Sequence, residues 1–116
     1  MSVADTLKPA DVAQGQLDAY NRQDLDAHCA FFADDVVVAD LNGQVTIRGI
    51  EAYRAKYTQV FSDFPQNRAE LVNRIVVGNT VVDHERVSRT PGAGTFQVIA
   101  IYTIADGRIA RVDFVK

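Results

Sequence analysis

At 116 residues, with 47% apolar and 23% charged side chains, the chain has the size and balance of one globular domain, residues 1–116, built around a single core. A net charge of −3 and the lack of any Lys/Arg block exclude a surface that tracks a phosphate backbone, and with it nucleic acid as a partner. Cys29 is the only cysteine, which excludes an internal disulfide and a cysteine-rich metal site.

In chain order, Met1-Ser2-Val3-Ala4-Asp5 has neither the basic start nor the apolar stretch of a secretory leader, so the cytoplasm is the expected location. Pro9 suits the first position of a helix, where its missing N–H costs nothing. Val12, Ala13, Gln16, Leu17 and Tyr20 then recur at three- and four-residue steps and predict an amphipathic helix ending at Asn21-Arg22-Gln23. Asp24 reads as the N-cap of a second, short helix with Leu25, His28, Cys29 and Phe32 along one side. Val36 to Asp40 is β-branched and bounded by turn residues, a strand. Asn42-Gly43 is a hairpin turn, and Gln44 to Ile47 is its returning strand. Gly49 opens a third helix, in which Ile50, Tyr53, Tyr57, Val60, Phe61 and Phe64 keep helical spacing until Pro65 stops it.

The second half is strand. Four strands are predicted: Arg68–Val77, Thr80–Arg89, Thr95–Ala105 and Arg108–Val115. Gly78-Asn79, Pro91-Gly92-Ala93-Gly94 and Asp106-Gly107 link them as consecutive hairpins. The apolar run Phe96–Ala105 is far too short to cross a bilayer, so no membrane association is expected. Helices first and a meander last predict an α+β fold, with three helices on one face of a mostly antiparallel sheet. Long antiparallel strands twist and coil. A coiled sheet covered by helices leaves a concave interior, so a pocket is expected.

Three runs carry a family resemblance: Ala19-Tyr20-Asn21-Arg22-Gln23-Asp24-Leu25-Asp26, Phe31-Phe32-Ala33-Asp34-Asp35-Val36-Val37-Val38-Ala39-Asp40 and Arg48-Gly49-Ile50-Glu51-Ala52-Tyr53. With the ending Tyr102-Thr103-Ile104-Ala105-Asp106-Gly107-Arg108-Ile109, they make the chain resemble the NTF2-like superfamily, in its SnoaL-like and ketosteroid-isomerase-like branch. The resemblance implies a cone of helices on a curved sheet, and a homodimer through the outer face of that sheet. It implies a small apolar molecule as ligand, with isomerase, cyclase or lyase chemistry or plain binding as the function. Matched to ketosteroid isomerase, the general base falls on Asp40 and a supporting tyrosine on Tyr57. The isomerase's two oxyanion donors, a tyrosine and a protonated aspartic acid, fall on Gln16 and Ala100. Without those donors, authentic steroid isomerization is not expected.

Asp40, Tyr57 and His84 are therefore the candidate catalytic residues. Asp40 ends an apolar strand, where desolvation would make it a usable base. His84 could pair with it as an acid–base couple. The expected ligand-binding set is Gln16, Tyr20, Phe32, Phe61, Val98, Ala100, Tyr102, Val112 and Phe114. Gln16 interrupts an apolar helix face, and Tyr20 and Tyr57 offer hydroxyls among apolar walls. The strand Val81–Ser88 leaves two options, because alternation places Val81, Asp83, Glu85 and Val87 on one face and Val82, His84, Arg86 and Ser88 on the other. His28 reads as a helix-edge residue with no special role, and Cys29 as a small core residue. No metal-ligand spacing, phosphate loop or nucleophile elbow occurs, so neither metal nor cofactor is expected.

Overall fold

The computed structural model describes residues 7–116; Met1–Asp5, the segment bearing on a leader peptide, lies outside them. Helix α1 spans Pro9–Asn21, with Pro9 at its first position after an extended Lys8. Its inner face buries Val12, Ala13, Gln16, Leu17 and Ala19. Helix α2 spans Leu25–Cys29, and the Asp24 carboxylate caps it by accepting from the Ala27 N–H at 3.1 Å. Strand β1, Phe32–Asp40, begins four residues earlier than its β-branched run. Phe32 therefore opens a strand and does not extend the short helix. The reason is long-range pairing: the Ile109 N–H donates to the Phe31 carbonyl at 2.8 Å, and Phe32 sits in register with Ile109.

Strand β2 covers Val45–Arg48. Gly49, at φ +86°, makes the sharp change of direction into helix α3, Ile50–Asp63. The meander follows as β3 (Arg68–Val77), β4 (Thr80–Ser88), β5 (Phe96–Ala105) and β6 (Arg108–Val115). The six strands form one sheet in the order β2-β1-β6-β5-β4-β3. Only β1 and β6 run parallel, so the first hairpin is spliced onto the far edge of the meander. The three helices cover one face of this curved, mostly antiparallel sheet, the α+β cone expected. Helix α1 lies on β3 and β4, and α3 on β1 and β2.

Val12, Val36, Val81, Ile109 and Val112 are almost fully buried between these layers. Each contributes roughly 1.5–3 kcal/mol by leaving water. A second apolar cluster, Leu17, Ala69, Val87 and Val98, lies apart from the first. Strand β3 bulges between Leu71 and Asn73, so that Leu71 pairs with Glu85 while Arg74 pairs with Asp83. No helix among the described residues is long and apolar enough to cross a membrane.

Candidate functional site

The register settles which face of β4 is inside. Val81, Asp83, Glu85 and Val87 are buried beneath the helices. They line up across the ladder with Tyr102, Ala100, Val98 and Phe96 of β5. His84 is on the opposite face, where its Nε2 meets Gln97 Oε1 at 2.5 Å. It lies in an outer groove with Ile75, Val82, Ile99 and Val115. His84 and Asp40 therefore form no couple.

Between the inner face and the helices lies a cavity of about 70 Å³. That is room for about two waters at ~30 Å³ each, or for a small apolar group. Seven expected residues line it: Gln16, Tyr20, Tyr57, Val98, Tyr102, Val112 and Phe114. Four other expectations are corrected. Asp40 lies in register with Phe114, but it ends its strand in solvent and does not line the cavity. Phe32 is a core side chain packed against Tyr53, the ring centroids 4.4 Å apart. Ala100 is wholly buried in the core behind the wall. Phe61 packs edge-on against Tyr20 at 5.3 Å, supporting the wall without forming it.

The lining also holds residues outside the expected site set: Leu17, His28, Tyr53, Ala69, Glu85, Val87, Arg89, Phe96 and Lys116. His28 is the largest departure from expectation, being almost fully buried. Its Nδ1 lies 2.9 Å from the Gln16 carbonyl, which only accepts, so Nδ1 carries the proton. Burial pulls its pKa down to about 4, against the opposing hydrogen bond to Gln16, so the ring is neutral. Nε2 must then accept from the Tyr53 hydroxyl at 2.8 Å. The Tyr57 ring lies against the Tyr53 ring at 4.5 Å. The order of donation is Tyr53 to His28 to the α1 backbone.

Gln16 is equally committed. Its Nε2 donates to the Ala13 carbonyl at 3.0 Å and to the Tyr102 hydroxyl at 3.1 Å. Both amide hydrogens are thereby used, and the Tyr102 O–H remains free to donate. Burial raises the Tyr102, Tyr53 and Tyr57 phenols above the ordinary tyrosine range, so all three are protonated.

Two buried carboxylates stand two residues apart on β4. Asp83 is fully buried and gripped bidentately by Arg74, at 2.7 Å from Nε and 2.9 Å from Nη2. The Arg74 Nη1 donates to Gln14 at 2.9 Å, which ties the pair to α1. Glu85 has no such partner among the described residues, and its Oε2 is buried without a hydrogen bond to any of them. Burial, aided by the nearby Asp83 charge and only partly offset by Arg74, pushes the Glu85 carboxyl up to about 7. At the open end, Arg89 Nη1 donates to the Tyr20 hydroxyl at 3.0 Å and to Asn67 Oδ1 at 3.2 Å. Among the described residues, no group of three or more His, Cys, Asp or Glu side chains could hold a metal ion.

Comparison with known proteins adds family and fold. The profile of the SnoaL-like domain matches residues 13–112. A cystatin-fold protein of uncharacterized role from Novosphingobium aromaticivorans is 31% identical, covers 95% of this chain and 99% of its own, and superposes with a TM-score of 0.87. A Sinorhizobium meliloti protein named as a candidate polyketide cyclase is 28% identical, with 94% and 100% coverage and a TM-score of 0.76. A candidate ketosteroid isomerase from Kribbella flavida shares the fold at 16% identity, with 91% and 75% coverage and a TM-score of 0.77. No functionally curated protein matches the chain.

Proposed function

This chain belongs to the SnoaL-like domain family, and from that premise we propose that it binds a small, mostly apolar carbonyl compound and moves a proton on it, with Glu85 as the general base. One observation carries the reading: the cavity wall contains a buried carboxylate oxygen with no hydrogen-bond partner among the described residues. A carboxyl in that setting is poised near neutral pH, where proton transfer by a positioned group is most effective. Asp40, exposed at the strand end, lacks that setting.

In this reading Glu85 takes a proton from the carbon next to the carbonyl. The C–H electron pair becomes the enolate double bond, and the negative charge moves to oxygen. Tyr102, whose hydroxyl proton is uncommitted, donates a hydrogen bond to that oxygen. Glu85 then returns the proton to the same carbon or to a neighbouring one. Tyr57 acts as a wall group, packed against Tyr53 at 4.5 Å.

The test is deuterium incorporation from D2O into 2-tetralone and cyclohexanone. Wild type should exceed the buffer rate, with activity rising through pH about 7. Glu85→Gln should lose ~100-fold or more, and Asp40→Asn should match wild type. Exchange that survives Glu85→Gln and disappears in Asp40→Asn would assign the base to Asp40 and defeat the proposal.

A second reading, ligand binding without chemistry, is favoured by Gln16 and Ala100. The Gln16 amide hydrogens are both spent, and Ala100 offers no donor, so the isomerase-type donor pair has no counterpart. Ketone binding in wild type with no exchange above buffer would decide for it. The outer sheet face, with Ile75 57% exposed and Val115 39% exposed, is the surface proposed to meet a second copy of the chain. Sedimentation at micromolar concentration reads that state directly.

A further inference from the structure

The open end of the cavity is built from donors without acceptors. Tyr20 receives two hydrogen bonds at its hydroxyl oxygen, one from Asn67 Nδ2 and one from Arg89 Nη1. Both lone pairs are thereby used, and the Tyr20 O–H is left as a donor with no partner among the described residues. Arg89 spends only Nη1, on Tyr20 and Asn67. Its Nε and Nη2, the edge that fits two oxygens at once, have no partner among the described residues. No carboxylate forms an ion pair with Arg89 among those residues either.

The guanidinium is nonetheless held firmly. It lies over the Phe64 ring at 5.7 Å and the Phe96 ring at 5.3 Å. Asn67 is buried, and its backbone carbonyl accepts from Gln23 Nε2 at 3.0 Å, so the amide that orients Arg89 is itself fixed. Lys116 adds a second positive charge to the same wall. Among the described residues, the only carboxylate side chain in the lining is Glu85 of β4, four residues before Arg89 and of the same parity. At ~3.3 Å per residue, that separates the two backbones by about 13 Å. Leu17, Ala69, Val87, Val98 and Phe114 line the same cavity.

We propose that Tyr20, Asn67 and Arg89 form a carboxylate-binding site, so that the cavity's ligand is an apolar carboxylic acid. The Arg89 Nε–Nη2 edge grips both carboxylate oxygens, and the Tyr20 hydroxyl donates to one of them. The apolar body of the ligand points inward past Val87 and Val98, toward Glu85. This inference rests on the reading of the cavity as a ligand site and adds the class of molecule. A planar two-oxygen head suits the planar edge of Arg89, and a phosphate monoester is the competing anion that the test must reject.

The experiment is calorimetric titration with benzoate, benzamide and phenyl phosphate. Benzoate should bind wild type about tenfold or more tightly than benzamide or phenyl phosphate. Arg89→Gln should bring benzoate down to the benzamide level while leaving benzamide binding in place, which shows an intact cavity. Arg89→Lys, which keeps the charge and loses the two-pronged edge, should fall between them. Tyr20→Phe should cost severalfold for benzoate and little for benzamide. Equal binding of benzoate and benzamide by wild type overturns the proposal. So does benzoate affinity unchanged in Arg89→Gln, tighter binding of phenyl phosphate, or no binding of any probe. If Arg89→Gln also loses benzamide, a Lys variant that equals wild type for benzoate overturns it as well. Glu85→Gln separates the two proposals: benzoate still bound with ketone exchange lost supports both. An Arg89-independent affinity with exchange intact removes only the carboxylate site.

Discussion

The two ends of the cavity are made of the same kinds of residue and differ in their hydrogen-bond accounts. At the deep end, the Tyr53 phenol, an imidazole and an amide form a closed series in which each proton has a destination. Tyr53 donates to His28, His28 donates to the α1 carbonyl, and Gln16 spends both amide hydrogens. At the open end, a phenol and a guanidinium converge with protons to spare. Between them sits Glu85, an acceptor without a donor. The same contrast separates Asp83 from Glu85 on one strand face: the first is neutralized by Arg74, and the second is bare. Closed accounts hold a fold in one arrangement. Open accounts are where a ligand can gain something by arriving.

The sharpest way to break this contrast is to open a closed account. Arg74→Met leaves the Asp83 charge buried and unpaired, and should cost about 3–5 kcal/mol in urea unfolding at pH 7. A loss below about 1 kcal/mol would mean that Asp83 is not held as an ion. Closing the open account should act in the other direction and should depend on pH. The Glu85 carboxyl is raised from 4.5 to about 7, so wild type loses stability as pH rises through that interval, by on the order of 3 kcal/mol. His28 is lowered from 6.5 to about 4, so it supplies stability that is lost as pH falls through the same region. The two effects oppose each other and should leave wild type nearly level from pH 4.5 to 6.5. Glu85→Gln removes one of them, and the stability of that variant should climb with pH across this range. Equal slopes for the two proteins in urea titrations would show that Glu85 is not a buried acid. The smallest effect is Tyr53→Phe, which leaves His28 Nε2 without its donor and should cost about 1–3 kcal/mol, with the Nδ1–H resonance retained by NMR.

How much of this could be read from the chain depends on the period of each element. Gln16 and Tyr20 follow from helical spacing. Val98, Tyr102, Val112 and Phe114 follow from alternation on strands whose register is regular where they sit. Glu85 was one of two options, because both faces of its strand carry ionizable groups. Choosing between them needs the helices that bury Asp83 and Glu85. Arg89 was legible in principle, since 85, 87 and 89 share a parity, but it lies just past the strand end among turn residues. His28 misled because five residues of helix give too little periodicity to distinguish edge from core; its burial comes from Tyr53 and Tyr57 of a helix further along the chain. Asp40 shows the limit of matching by position. It keeps the inward register of Phe114, yet the strand ends there and water reaches it.

The bulge in β3 ties the inside of this protein to its outside. Without the extra residue, a count by twos from Ala69 would turn Asn73 and Ile75 inward and leave Arg74 in solvent. With it, Arg74 reaches Asp83, and Ile75 is turned out beside Val82 onto the back of the sheet. One inserted residue therefore supplies both the counter-ion of the interior and part of the apolar exterior. The two properties share a single parity, so a lineage that gained or lost one residue in this strand would change both at once.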